Sequence, residues 1–225
     1  MRNTENKTNN HGGNYHSRSV VKVECGHNMG TAVCVSTGTT GDLFLTCAHV
    51  VQYKIQLVIL RYDGYVIRGK VIYVTHKDDP NDIAIIISGH NVANIIPCKI
   101  SNNIPSAGQK VFAVGYACEE NVPAIVFGNV QKSTLNTITT SCNVRTGFSG
   151  GPVFTSDGQM LGLTIGKLSL GIVHFVLPST KFISTIKKHI LTNDLKNINN
   201  LDFKSPLKKM FWNKGISHKN LICHI

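Results

Sequence analysis

Short runs rich in Val, Ile and Thr, separated by turn residues, fill the chain from Ser19 to about residue 178. No other feature limits the fold as strongly. VVKVEC (20–25), TAVCV (31–35), LFLTC (43–47), IQLVIL (55–60), YVIRGKVIYV (65–74) and IAIII (83–87) come first. KVFAVGY (110–116), VPAIVFGNV (122–130), TLNTITTSC (134–142), GPVFTS, QMLGLTI and GIVHFVL follow. Gly41-Asp42, Asp63-Gly64, Asp79-Pro80 and Asp157-Gly158 supply the turns between runs. β-branched runs of this length with such punctuation predict an all-β barrel or sandwich rather than alternating strands and helices. The stretch 101–109, containing Ile104-Pro105-Ser106-Ala107-Gly108, reads as the linker between two halves.

The period changes only after Pro178. STKFISTIKKHIL places Phe182, Ile183, Ile186 and Ile190 on one face, which predicts an amphipathic helix over 179–191. Ser179 is positioned as its N-cap, and the lysines suit the C-terminal end of the dipole. Residues 193–225 form a polar, basic tail with an apolar island at Met210-Phe211-Trp212, and residues 1–18 read as a disordered, asparagine-rich segment. That segment has no apolar stretch of signal-peptide type, so the Asn6-Lys7-Thr8 sequon is expected to stay unmodified. No apolar run approaches the roughly 20 residues needed to span a bilayer.

The seven cysteines form no regular framework and no C-x-x-C pair, so free thiols in a reducing compartment are expected, with no structural metal and no cofactor. The net charge is +11, with nine lysines from Ser179 onward against Asp194 and Asp202. Such an excess raises nucleic-acid binding as a reading. No zinc-finger, RNP or helix-turn-helix pattern accompanies it, so a solvated tail or a surface for acidic partners is favoured.

Chemistry concentrates in TGFSGGPVF, residues 146–154, where a serine is fenced by glycines. Gly147, Ser149 and Gly151 satisfy the G-x-S-x-G elbow, but that motif requires a helix after the serine and then an acid and a histidine. Here a strand, the Asp157-Gly158 turn and another strand follow, with 76 residues remaining downstream. The elbow fails. The other setting is a barrel loop, preceded by a histidine and then an aspartate. LTCAHVV supplies His49 as a strand ends, and DDPNDIAIII supplies Asp82 as another begins, at spacings of 33 and 67 residues to Asp82 and Ser149 in turn. A histidine at a strand end, an aspartate at a strand start or a serine among glycines is each ordinary alone. Their joint occurrence, in this order and in a β-rich chain, points to nucleophilic catalysis.

On Thr46-Cys47-Ala48-His49, Asp82-Ile83-Ala84 and Gly147-Phe148-Ser149-Gly150-Gly151-Pro152, the chain resembles trypsin-like serine proteases of the HtrA/Deg type over about residues 19–191. The resemblance implies two six-stranded antiparallel β-barrels of chymotrypsin-like form, about 19–100 and 107–178, closed by a C-terminal helix. It implies a serine endopeptidase in which Ser149 attacks, His49 is the base and Asp82 holds the imidazole. Asp78 and Asp79 are rivals for that last role, but they precede Pro80 in an exposed turn. The amides of Gly147 and Ser149 would form the oxyanion hole. Asn143, Thr164, Ile165, Gly166 and His174 would border the substrate pocket. Phe148 stands where secreted relatives carry an aspartate, so activation by an ion pair to a new N-terminus is not expected. No carboxylate lies between Thr139 and Thr155, which argues for a small or moderately apolar residue before the cut.

The 34 residues after the helix are too few for a PDZ domain. TTSCNVRTGFSGGPVF, GQMLGLTIG and HFVLPSTKF make the chain most similar, within the Deg type, to the branch that processes peroxisomal leader peptides. That branch implies protein or peptide substrates and a peroxisomal matrix location, with the cytoplasm as the alternative. The terminal Cys223-His224-Ile225 is a degenerate version of the small-basic-leucine import signal, which makes the peroxisomal import receptor a candidate partner. A general Deg-like quality-control protease is the alternative activity, ahead of a non-catalytic or nucleic-acid-binding module.

Overall fold

The computed structural model describes residues 15–39, 41–168, 173–183, 186 and 221–222. Strands β1 (Val20–Cys25), β2 (Asn28–Ser36), β3 (Leu43–Thr46), β4 (Leu57–Tyr62), β5 (Tyr65–Val74) and β6 (Ala84–Ser88) close into an antiparallel barrel in the order β1-β2-β3-β6-β5-β4. After a two-residue strand β7 (Lys99–Ile100), the chain builds β8 (Lys110–Gly115), β9 (Ala124–Ser133), β10 (Ile138–Thr140), β11 (Pro152–Thr155), β12 (Gln159–Leu168) and β13 (His174–Pro178). These six pair in the order β11-β8-β9-β10-β13-β12, and a β11–β12 pairing closes the ring. The expected pair of six-stranded barrels is what the chain forms. Among the described residues, no helix is long and apolar enough to cross a membrane.

Side-chain alternation explains how two barrels share one molecule. Val21 and Val23 of β1 point into the first barrel with Ala32, Phe44, Leu60 and Ile86. Val20, one step out of phase, joins Val33, Leu45, Ile83 and Ile85 of the same barrel against Val114, Tyr116, Phe154, Leu163 and Leu177 of the second. The second barrel has its own interior, with Val111, Ile138, Phe148, Val153 and Leu161. There are thus three apolar layers, and strands such as β1 are buried on both faces. Each fully buried Ile, Leu or Phe contributes about 1.5–3 kcal/mol relative to exposure.

Several expectations change. β7 pairs parallel with β12, Lys99 opposite Gln159, so the chain has reached the second barrel by residue 99. A strand of two residues carries no periodicity to reveal which sheet it joins. The run 134–142 is mostly a turn, with only Ile138–Thr140 paired, because Thr134 Oγ1 accepts from the Asn136 and Thr137 amides and bends the chain. Residues 15–17 form one helical turn, and the His16 ring packs 5.2 Å from Phe112 and 5.1 Å from Phe154, so residues 15–18 are not a disordered lead.

At the other end, Ser179–Lys181 is a 3-10 turn following Pro178, and the Ser179 hydroxyl donates to the Ser101 carbonyl at 2.6 Å instead of capping. Ile186 N–H donates to the Phe182 carbonyl at 3.1 Å, an α-type bond. The remainder of the predicted helix lies outside the described residues, as do residues 1–14. Of the basic tail only Leu221–Ile222 is described, as a strand β14 on β12.

Candidate active site

His49 sits in the turn that follows β3, held by backbone bonds from Gln52 N–H to its own carbonyl and from Tyr53 N–H to the Ala48 carbonyl. Asp82 lies two residues before β6, the strand that pairs with β3. One ladder therefore sets the acid beside the imidazole. Asp82 Oδ1 accepts the His49 amide at 2.9 Å, while Oδ2 is paired with His49 Nδ1. Both side chains are mostly buried, 15% and 17% exposed. Gripping backbone and ring with one carboxylate fixes the plane of the imidazole and leaves Nε2 on the far edge. Burial, the largest single influence, would lower the His49 pKa. The charge of Asp82 and the hydrogen bond to it together outweigh burial, so the pKa lies above the ordinary 6.5. The rival acids are spent elsewhere: Asp78, with its side chain 67% exposed, pairs with His76, and Asp79 accepts from Asn81.

Ser149 stands in a tight loop of the second barrel, between β10 and β11. Gly150, at φ +83°, lies so close to the first barrel that a Cβ there would sit 2.9 Å from Cys47 N and inside contact distance of the Thr31 carbonyl. The loop is thereby set against the segment carrying His49. The Ser149 carbonyl accepts the Thr31 amide at 2.9 Å, and Gly150 N–H donates to the Thr164 carbonyl at 2.8 Å. Ser149 is half-buried, and among the described residues its hydroxyl has no hydrogen bond to His49, whose ring is paired with Asp82. Hydroxyl–imidazole bonds of this kind often tighten only when substrate is bound.

The amides around Ser149 alternate. Phe148 N–H donates to the Arg145 carbonyl at 3.1 Å, whereas the flanking amides of Gly147 and Ser149 donate to no described residue. The Thr146 carbonyl accepts Cys118 N–H at 3.1 Å. In a planar trans peptide the C=O and the next N–H point opposite ways, so this bond turns the Gly147 amide outward. Gly147 has φ +97°, and a Cβ would fall 2.8 Å from Cys118 N and closer still to the Tyr116 carbonyl. Only glycine fits here without displacing backbone. Phe148 is fully buried in the second barrel's interior, its ring packed on Gly115.

The residues expected to border a substrate pocket are not placed alike. Thr164 is 2% exposed and its backbone is engaged on both sides, with Gly150 N–H on its carbonyl and its own N–H on the Gly151 carbonyl. It is the floor of the serine loop, not an open wall. Ile165 and Gly166 are half-buried at a bulge in β12 and form the edge beside that floor. Asn143 is exposed ahead of the loop, and His174 is buried on β13 opposite Thr140. Cys47, His49 and Asp82 bring donor atoms within 4.8 Å of one another, a set a divalent metal could reach. However, Asp82 is bonded to His49 and the Cys47 thiol to the Thr164 carbonyl at 3.2 Å, so each of these donors already has a protein partner.

One residue absent from the sequence-based list is central. Thr31, fully buried on β2, donates its hydroxyl to the Gly147 carbonyl at 2.8 Å and accepts Tyr116 N–H at 2.9 Å. With its amide on Ser149, it touches the serine loop twice. Only the small-residue run Gly30-Thr31-Ala32 hints at close approach, and nothing local says to what.

Residues 30–163 match the family described as the trypsin-like peptidase domain. The chain is 26% identical over 212 residues to the mouse peroxisomal leader peptide-processing protease, covering 86% of this chain and 36% of that protein. It is 30% identical over 151 residues to serine protease HTRA1 of Xenopus tropicalis, covering 62% of this chain and 32% of the relative. The chain thus spans about a third of the length of these curated relatives. Its fold is similar to a crystal structure of the serine endoprotease from Yersinia pestis, with a TM-score of 0.69 and 20% identity over 84% of this chain and 69% of that one.

Proposed function

The chain belongs to the trypsin-like peptidase family, and from that membership we propose that it is a serine endopeptidase acting through Ser149, His49 and Asp82. The observation that carries the reading is the double grip of Asp82 on His49 beside a serine loop whose Gly147 and Ser149 amides donate to no described residue. Serine is a weak nucleophile at neutral pH, and Nε2 of His49 takes its proton as Oγ attacks the scissile carbonyl. The imidazolium is stabilised by Asp82 and then protonates the leaving amine; water repeats the sequence in reverse to release the acyl group. The amides of Gly147 and Ser149 hold the developing oxyanion, each worth about 3–4 kcal/mol to the transition state. An extended substrate would lie along Ile165 and Gly166 as an added strand. With no carboxylate between Thr139 and Thr155, the pocket suits a small or moderately apolar side chain before the cut.

The substrate class we propose is leader-bearing peroxisomal precursors, with residence in the peroxisomal matrix. Support comes from the likeness to the mouse leader-processing enzyme over most of the chain. The likeness to HTRA1 favours a second reading, broad digestion of unfolded protein. Incubating a leader-bearing precursor and, separately, reduced casein with wild type and Ser149→Ala separates them. Single-site cleavage of the precursor by wild type alone is expected. Rapid casein degradation with a shredded precursor would favour the broad protease, and activity retained in Ser149→Ala would refute the serine mechanism.

A further inference from the structure

Lys22 is 5% exposed, in a position where a cation needs partners. It lies on β1 two residues from Val20, on the face turned toward the second barrel, and directly opposite Thr31 on β2. Facing residues on paired strands project side by side. Their reaches are complementary. Thr31 bonds Tyr116, Gly147 and Ser149, while Lys22 Nζ crosses to the Cys118 carbonyl at 3.0 Å and the Glu120 carbonyl at 3.1 Å.

Those two carbonyls belong to the loop whose Cys118 amide holds the Thr146 carbonyl, and so turns the Gly147 amide outward. The same loop is tied to the serine segment from outside, where Glu120 accepts both terminal nitrogens of Arg145, at 2.7 and 3.1 Å. Phe148, next to the serine, is buried in the barrel interior and carries no charge with which to anchor the turn.

We propose that Lys22 is a positioning residue for the reaction: through the 118–120 loop it holds the Thr146–Gly147 peptide in the orientation that presents the Gly147 amide to the oxyanion. The cross-strand pair Lys22–Thr31 is then a clamp built on one barrel that shapes the anion site of the other. This rests on the serine-protease reading above. The ammonium has three donors and meets two carbonyl oxygens that an apolar replacement would leave without it.

The test is Lys22→Met, which keeps the stem and removes the charge. Its kcat on a peptide substrate should fall by about tenfold or more, the scale of a misplaced catalytic group, with KM changed by less than about twofold. Hydrogen exchange of the 143–150 segment should quicken in the same variant. The surface variant Glu120→Gln frees Arg145 and loosens the same loop without entering the core, so it tests whether that loop sets the Gly147 amide even if Lys22→Met does not fold; a smaller loss in kcat at constant KM is expected, and an unchanged kcat would overturn the proposal. Unchanged kcat and exchange, or a rise in KM alone, would overturn the proposal. Wild type lacking Ser149-dependent turnover would sink the protease reading instead, and the exchange measurement would still judge Lys22.

Discussion

The two barrels hold their shares of the site in different ways. The first barrel makes its His49–Asp82 pair internally: β3 and β6 are ladder partners, and Asp82 binds both the amide and the ring of His49. The second barrel's serine loop is held from within by bonds such as Gly150 N–H to the Thr164 carbonyl, but it also takes bonds that cross to the first barrel, directly from Thr31 and, by way of the 118–120 loop, from Lys22. One half is self-sufficient and the other is conditional. A reaction that needs both halves is therefore assembled only when the barrels are correctly packed.

Asp82→Asn breaks the self-sufficient half and should have the largest effect, a loss of about 10⁴ in kcat with the barrels intact. A peptide-substrate assay that found near-normal turnover would show that the first barrel holds no working pair. Gly147→Ala attacks the conditional half. A Cβ there meets backbone of residues 116–118, so the outward amide must move, and kcat should drop by about 10²–10³. Single-turnover kinetics with unaltered acylation would remove that amide from the mechanism.

Thr31→Val tests whether the dependence really runs between barrels. It leaves Tyr116 N–H and the Gly147 carbonyl without the hydroxyl, which should cost about 1–3 kcal/mol in urea unfolding and roughly tenfold in kcat. A stability loss without a kinetic one would make Thr31 a packing residue alone. The mildest probe is pH. With the His49 pKa raised above 6.5, the acid limb of kcat/KM should lie above that value in wild type and move lower in Asp82→Asn. Because the shift is upward, the protonated ring stabilises the fold below about pH 6.5 and that contribution is lost as pH rises through the higher value.

The strands and the order His49, Asp82, Ser149 were legible because they depend on local pattern: alternation, turn residues and glycines where backbone must pass closely. Lys22 and Thr31 were not. In sequence they are an ordinary strand lysine and threonine, and the partners of their side chains lie 85 to 116 positions away. The same reason hid the contact of His16 with Phe112 and Phe154 and the bond of Ser179 to Ser101, where tertiary partners outcompeted the local expectation. Thr164 looked like a pocket wall because sequence gives a residue's neighbourhood but not which side of it faces solvent.

The packing of His16 has a further consequence. The chain begins its described course against the second barrel, winds the first, and returns across residues 96–110, with Ile96 N–H bonded to the Arg18 carbonyl at 3.0 Å. Two separate stretches of backbone therefore lace the halves together along one seam. A single nick in 101–109 should therefore leave both halves joined through the contacts of residues 16–18.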